Sequence, residues 1–203
     1  PAGKVAADES AHPHTRIHAL WALEGLGHYD ATLMQQLLGA KNSDIRREAV
    51  RSLVKLAPDL KTFNAAMAVS INDANPMVRA AVLRAIDERG EADGHTLDVL
   101  VTASRPELSG DHMGGREDQL LGGPYERKFE RYLARMAMEQ FASQLSTYLG
   151  GELSARQPAS NLLWASQALP EKERNASFGK IWKHKDPAKA MDEATFIILA
   201  KSL

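Results

Sequence analysis

Three segments of this chain repeat one pattern. With Arg16, Arg46 and Arg79 set in one column, TRIHALWALEGLG, IRREAVRSLVKLA and VRAAVLRAIDERG fall into register at separations of 30 and 33 residues. Three positions after each arginine stand Ala19, Ala49 and Val82; four after, Leu20, Val50 and Leu83; seven after, Leu23, Leu53 and Ile86. That is one face of a helix, written three times. Eleven positions after the arginine come Gly27, Ala57 and Gly90, small residues where a helix ends or a neighbour approaches closely. Second helices are expected over 31–38, 61–71 and 96–103. A pair of helices in about 30 to 40 residues buries its apolar face only against the next pair, which predicts an all-α superhelix (α-solenoid) of roughly ten helices without a sheet.

Asp73-Ala74-Asn75-Pro76-Met77-Val78-Arg79 resembles the signature of HEAT repeats, with an aspartate, a proline in the turn and Val-Arg opening the next helix. The resemblance implies a ladder of aspartate–arginine contacts between repeats, carried here by Asp73, Arg16, Arg46 and Arg79. Asp73 and Arg79 match best. Ser10 and Ala40 stand at the aspartate position of the other two repeats, which interrupts a continuous ladder.

A fourth repeat falls into phase if Glu130 takes the arginine column, with Leu133, Ala134, Ala137 and Phe141 in the apolar columns. The step from Arg79 is then longer by nearly the length of SRPELSGDHMGGREDQLLGG, residues 104–123, whose five glycines and lack of helical period read as an inserted loop. Beyond it, 159–169, 171–183 and 188–203 read as helices that follow Pro158, Pro170 and Pro187, a degenerate C-terminal continuation of the same class. The whole of 1–203 is read as a single HEAT-like domain.

Composition excludes several functions. Lys plus Arg total 25 against 26 Asp plus Glu, a formal charge of -1, so no global positive field draws in a phosphate backbone and no nucleic-acid partner is expected. The absence of cysteine removes disulfides, thiolate metal sites, covalent haem attachment and cysteine nucleophiles. The apolar run 196–200 is far short of the roughly 20 residues that cross a bilayer, so no membrane span is expected. A start at Pro1, with no charged-then-apolar signal, reads as a piece processed from a larger polypeptide.

Chemistry-bearing residues are few. His14 and His18 sit one helical turn apart, as metal ligands can, but the register puts His18 in the column of Glu48 and Ala81, and no third ligand stands nearby. A structural role is the expectation, with no metal, no cofactor and no catalytic residue. Asp111, His112, Glu117 and Asp118 lie in the glycine-rich insertion, where flexible backbone works against a preorganised site. The run Glu126-Arg127-Lys128-Phe129-Glu130-Arg131 with Arg135 reads as a self-paired, solvated helix face. Trp21, sharing its column with Arg51 and Arg84, and Leu120, Leu121 and Tyr125 by the insertion are the candidate partner-binding residues; Trp164 and Trp182 read as packing residues. No glycine-rich phosphate loop, nucleophile elbow or His-Glu dipeptide occurs.

HPHTRIHALWALEGLG (12–27) and FERYLARMAMEQF (129–141), flanking HEAT-like units, together resemble the HEAT region of large planctomycete and verrucomicrobial proteins that join a sugar-dehydrogenase-like propeller, HEAT repeats and a cytochrome c domain. The resemblance implies a noncatalytic scaffold within an exported oxidoreductase, extracytoplasmic or periplasmic. Its partners would be neighbouring domains of the parent chain or another protein, with the oligomeric state left open. The alternative is a HEAT-like enzyme with a concave active site, resembling DNA glycosylases or bilin lyases. Net charge counts against the first, and nothing marks a chromophore pocket for the second.

Overall fold

The structure is a computed structural model that describes residues 1–108 and 122–183, together with the helical positions Ile197 and Ala200. Most of the helix expected over 188–203 therefore lies outside the described residues, as do Asp111, His112, Glu117, Asp118, Leu120 and Leu121. The described residues are all-helical, with eleven α-helices, one 3-10 turn and no strand. None of these helices is long and apolar enough to cross a membrane. The chain divides into two compact units, Pro1–Glu91 and Ala92–Leu203.

The first unit holds α1 (Ala2–Ala7), α2 (Pro13–Gly25), α3 (Ala31–Leu38), α4 (Ser43–Leu56), α5 (Leu60–Ser70) and α6 (Pro76–Arg89). Local sequence sets these boundaries. Asp30, Asn42, Asp59 and Asn75 cap α3, α4, α5 and α6 by accepting from backbone N–H groups of the first turn, the orphan donors of any helix start. Pro13 and Pro76 sit in the first turns of α2 and α6, where no N–H is missed.

The small-residue column ends its three helices by two different means. Gly27 (φ 62°) and Gly90 (φ 68°) take the left-handed conformation. At the end of α2, Gly27 N–H donates to Glu24 and His28 N–H to Leu23, a Schellman closure. Ala57 needs no glycine because Pro58 follows and holds it extended, at φ -62° and ψ 123°.

The apolar columns form the core of this unit: Leu20, Leu23, Val50, Leu53, Val82, Leu83 and Ile86 are all buried. Each such side chain contributes about 1.5–3 kcal/mol relative to exposure. α2 packs on α4 and α4 on α6; α1 packs on α2 and α3, and α5 on α4 and α6.

The second unit holds α7 (Gly94–Ala103), α8 (Gly123–Gln140), α9 (Ala142–Tyr148), a 3-10 turn (Ser154–Arg156), α10 (Ala159–Ser166) and α11 (Glu171–Lys183). α7 is its centre, packing on α8, α9 and α10, while α10 packs on α11. α7 ends at Ala103 and α8 begins at Gly123; most of the insertion expected over 104–123 lies outside the described residues. Leu97, Leu100, Ala134, Ala137, Met138, Leu145, Leu163 and Ile181 are buried. A half-buried polar knot ties later segments to α7: Tyr148 donates to Asp98 at 2.6 Å, and Gln157 donates to Asp98 at 3.0 Å and Thr102 at 2.8 Å.

Candidate interaction surfaces

On the first unit the repeat arginines act as clamps. Arg46 grips the Asp73 carboxylate with two hydrogen bonds, Nε to Oδ2 at 2.6 Å and Nη2 to Oδ1 at 2.8 Å, and its Nη1 donates to the carbonyls of Ala40 and Lys41. Arg79 donates to the carbonyls of Asp73 and Ala74. Arg16, buried, donates to the Ala6 carbonyl at the end of α1. The aspartate–arginine contact thus runs between Asp73 and the arginine one repeat earlier. Hydrogen bonding to Arg46 holds the Asp73 carboxyl below the usual carboxylate range, against its partial burial.

A second set of links joins α2 to α4. Trp21 donates its indole N–H to Glu48 at 3.1 Å, and Arg51 bridges Glu48 (2.9 Å) and Glu24 (2.6 Å). Ser52 and Lys55 also reach Glu24. Burial opposes ionisation of Glu24 and Glu48, but hydrogen bonds from Arg51, with Ser52 and Lys55 for the first and Trp21 for the second, outweigh it and keep both carboxyls below their ordinary values. Trp21 remains 44% exposed, its ring flanked by His18 at 5.3 Å and the Arg51 guanidinium at 5.8 Å. A fixed, half-open indole of this kind suits a partner contact.

The histidines of 12–18 have separate local roles. His12 Nδ1 accepts from the His14 backbone N–H and so caps α2, and His18 lies against Trp21. Among the described residues no group of three or more His, Asp or Glu is placed to hold a metal ion.

Two grooves follow the shorter helices of this unit. One, of about 910 Å³, runs between α3 and α5, lined by Met34, Leu38, Ala65, Ala66 and Val69 and reaching Leu53. Its counterpart between α1 and α3, of about 540 Å³, reaches Leu23, the same column one repeat earlier. Val69 is 72% exposed and Leu26, on the second groove, 77%. Burial of the columns made α4 legible in the sequence; the grooves were not, because they arise between helices.

On the second unit, Tyr125 is half-exposed and stacks on Phe129 at 6.4 Å. The charged run on α8 departs from the solvated face expected of it. Arg135 does pair with Glu139 in solvent, but Glu130 and Arg131 are buried. The reason is packing: Glu130 lies 3.5 Å from Arg127 Nε on the same face of α8, and Arg131 lies over the Trp164 ring at 3.8 Å. Trp164 is therefore half-buried packing, as expected, but packing against a cation.

No family model matches this chain, and no curated protein matches it either.

Proposed function

We propose that the chain is a noncatalytic HEAT-type interaction module whose binding face is the row α1–α3–α5. The observation that carries this reading is the apolar groove between α3 and α5, with Val69 standing 72% exposed on its wall. Exposed apolar surface gathered in a groove, with polar residues at its rim, is the usual mark of a partner site. Repetition supports the array: Arg16, Arg46 and Arg79 follow the ends of α1, α3 and α5 by nine, eight and nine residues. α1 then stands where the second helix of a preceding repeat would.

The occupant of the groove is a neighbouring domain of the parent chain or a separate protein. On the resemblance carried by 12–27 and 129–141, that parent is an exported, haem-bearing oxidoreductase, and the module lies between its propeller and its cytochrome c domain. A photo-crosslinking amino acid placed at Val69 in the parent protein tests the groove. A defined cross-linked peptide at Val69, absent when the label stands at Glu88, supports the reading; no cross-link, or the same one from both positions, refutes it. The full reading frame of the gene tests the parentage separately.

A further inference from the structure

Among its described residues the second unit gathers buried donors without acceptors. Arg127 and Arg131 stand four residues apart on α8 and so share a face. Their side chains are 14% and 7% exposed. Arg131 stacks its guanidinium on Trp164, 3.8 Å from the ring centroid, an arrangement that leaves the in-plane N–H edges for hydrogen bonding. Its carboxylate partner is Glu107, at 3.8 Å, too far for a hydrogen bond, and the Glu107 side chain is 60% exposed.

Arg127 Nε stands 3.5 Å from Glu130 without hydrogen-bond geometry, and its Nη1 donates to the Pro106 carbonyl at 3.3 Å. Buried Nε of Arg127, buried Nε of Arg131 and buried Nε1 of Trp164 all go unpartnered. These atoms can only donate. Burial, then the neighbouring Arg127, lowers the affinity of Arg131 for its proton, with Glu107 partly opposing. An arginine fork matches the oxygens of a carboxylate or a phosphate and meets them at hydrogen-bond distance.

The geometry points to a binding site for an oxyanion, a phosphoryl or carboxylate group, on the Nε edge of Arg131 with Arg127 and the Trp164 indole; Glu107, 3.8 Å from Arg131 Nη1, is a weakly held internal carboxylate whose charge competes with that of the ligand. The site rests on none of the residues that form the α3–α5 groove.

Trp164 supplies the readout. With Trp21 and Trp182 replaced by phenylalanine, it is the one remaining tryptophan of the three in the chain. Inorganic phosphate, and in a second arm succinate, is titrated at constant ionic strength against sodium chloride. A saturable change in Trp164 emission is expected with at least one of the two; phosphate alone marks a phosphoryl site, succinate alone a carboxylate site, and both a general oxyanion site. Glu107→Gln, which removes the competing charge, should tighten binding several-fold. Arg131→Lys, lacking the fork, should weaken it about tenfold. The proposal is overturned by the absence of any saturable change, by a response that chloride reproduces, or by a Glu107→Gln variant that binds no more tightly than its parent.

Discussion

Breaking the Arg46–Asp73 clamp is the sharpest test of the repeat architecture. Both side chains are largely buried, 17% and 11% exposed, and they share two short charge-assisted hydrogen bonds. Asp73 Oδ1 also accepts from the Asn75 backbone N–H at 2.8 Å. Removing one member of a fully buried pair costs about 3–5 kcal/mol, and an exposed pair is worth at most about 1 kcal/mol. With residual exposure on both sides, Asp73→Ala should cost about 2–3 kcal/mol. Arg46→Met should cost more, because Arg46 also holds the Ala40 and Lys41 carbonyls. Asp73→Asn should fall below Asp73→Ala, since the amide oxygen keeps an acceptor for Asn75. Urea unfolding of the two single variants and the double gives the coupling energy. The folded-state carboxyl is depressed, so its contribution is present above the ordinary carboxylate pKa and is lost as pH falls through the lower folded value. The difference between the parent and Asp73→Asn should accordingly shrink in acid. A coupling below about 0.5 kcal/mol, typical of exposed pairs, would refute the clamp as a structural link.

Three further outcomes follow from the same geometry. Gly90→Ala should destabilise by about 1 kcal/mol through strain alone, because its φ is 68° and an added Cβ meets nothing within 4 Å; an unchanged urea midpoint would contradict the left-handed C-cap. Tyr148 should ionise well above the ordinary tyrosine range in an alkaline absorbance titration, since burial and then its bond to Asp98 push its hydroxyl up, and Tyr148→Phe should cost about 1–2 kcal/mol. Replacing 106–122 by a short Gly-Ser link should shift stability by no more than about 1–2 kcal/mol, loop entropy growing slowly with length; the lost Arg127–Pro106 and Arg131–Glu107 contacts belong to that cost. A fragment that no longer gives a cooperative melt by circular dichroism would show that the segment is part of the fold.

What the sequence made legible were the features written locally or at the repeat period. Column residues such as Leu53 and Ile86 are buried because helical spacing and repetition both demand it, and caps such as Asn75-Pro76 announce themselves. Side-chain links between repeats were harder to read. The Asp73 carboxylate is gripped by Arg46, while its own repeat's Arg79 reaches the Asp73 backbone carbonyl, and Trp21–Glu48, Glu24–Arg51 and Arg46–Asp73 all span 27 residues, less than the repeat itself. Complementary pairs at that spacing are a signal present in the sequence, visible once the helices are known to be offset. α1 was missed because its six residues carry no apolar column, and α9 because seven residues hold too few turns to show a period. The burial of Glu130 and Arg131 was not legible from charge alternation, which carries no trace of the Trp164 ring that stacks on Arg131 from 33 residues away.

The arginines of this chain end in two ways, with Arg89 of the first unit, whose buried Nε is also unpartnered, between them. In the first, the repeat arginines and Arg51 each terminate on carboxylate or carbonyl oxygens between 2.6 and 3.1 Å, and the nearest carboxyls are correspondingly acidic. Such arginines belong to the fold: the donor and its acceptor were fixed together, so replacing one strands the other. In the second, Arg131 is as buried as any of these, yet it meets its carboxylate only at 3.8 Å and leaves a buried N–H unused. A helical fold has no need of that arrangement, because an apolar side chain in its place would pack on Trp164 without the desolvation penalty. Stability therefore predicts that Arg131→Met is neutral or stabilising where Arg46→Met is costly. A stable Arg131→Met variant would separate the charges that hold this protein together from those retained for something it binds.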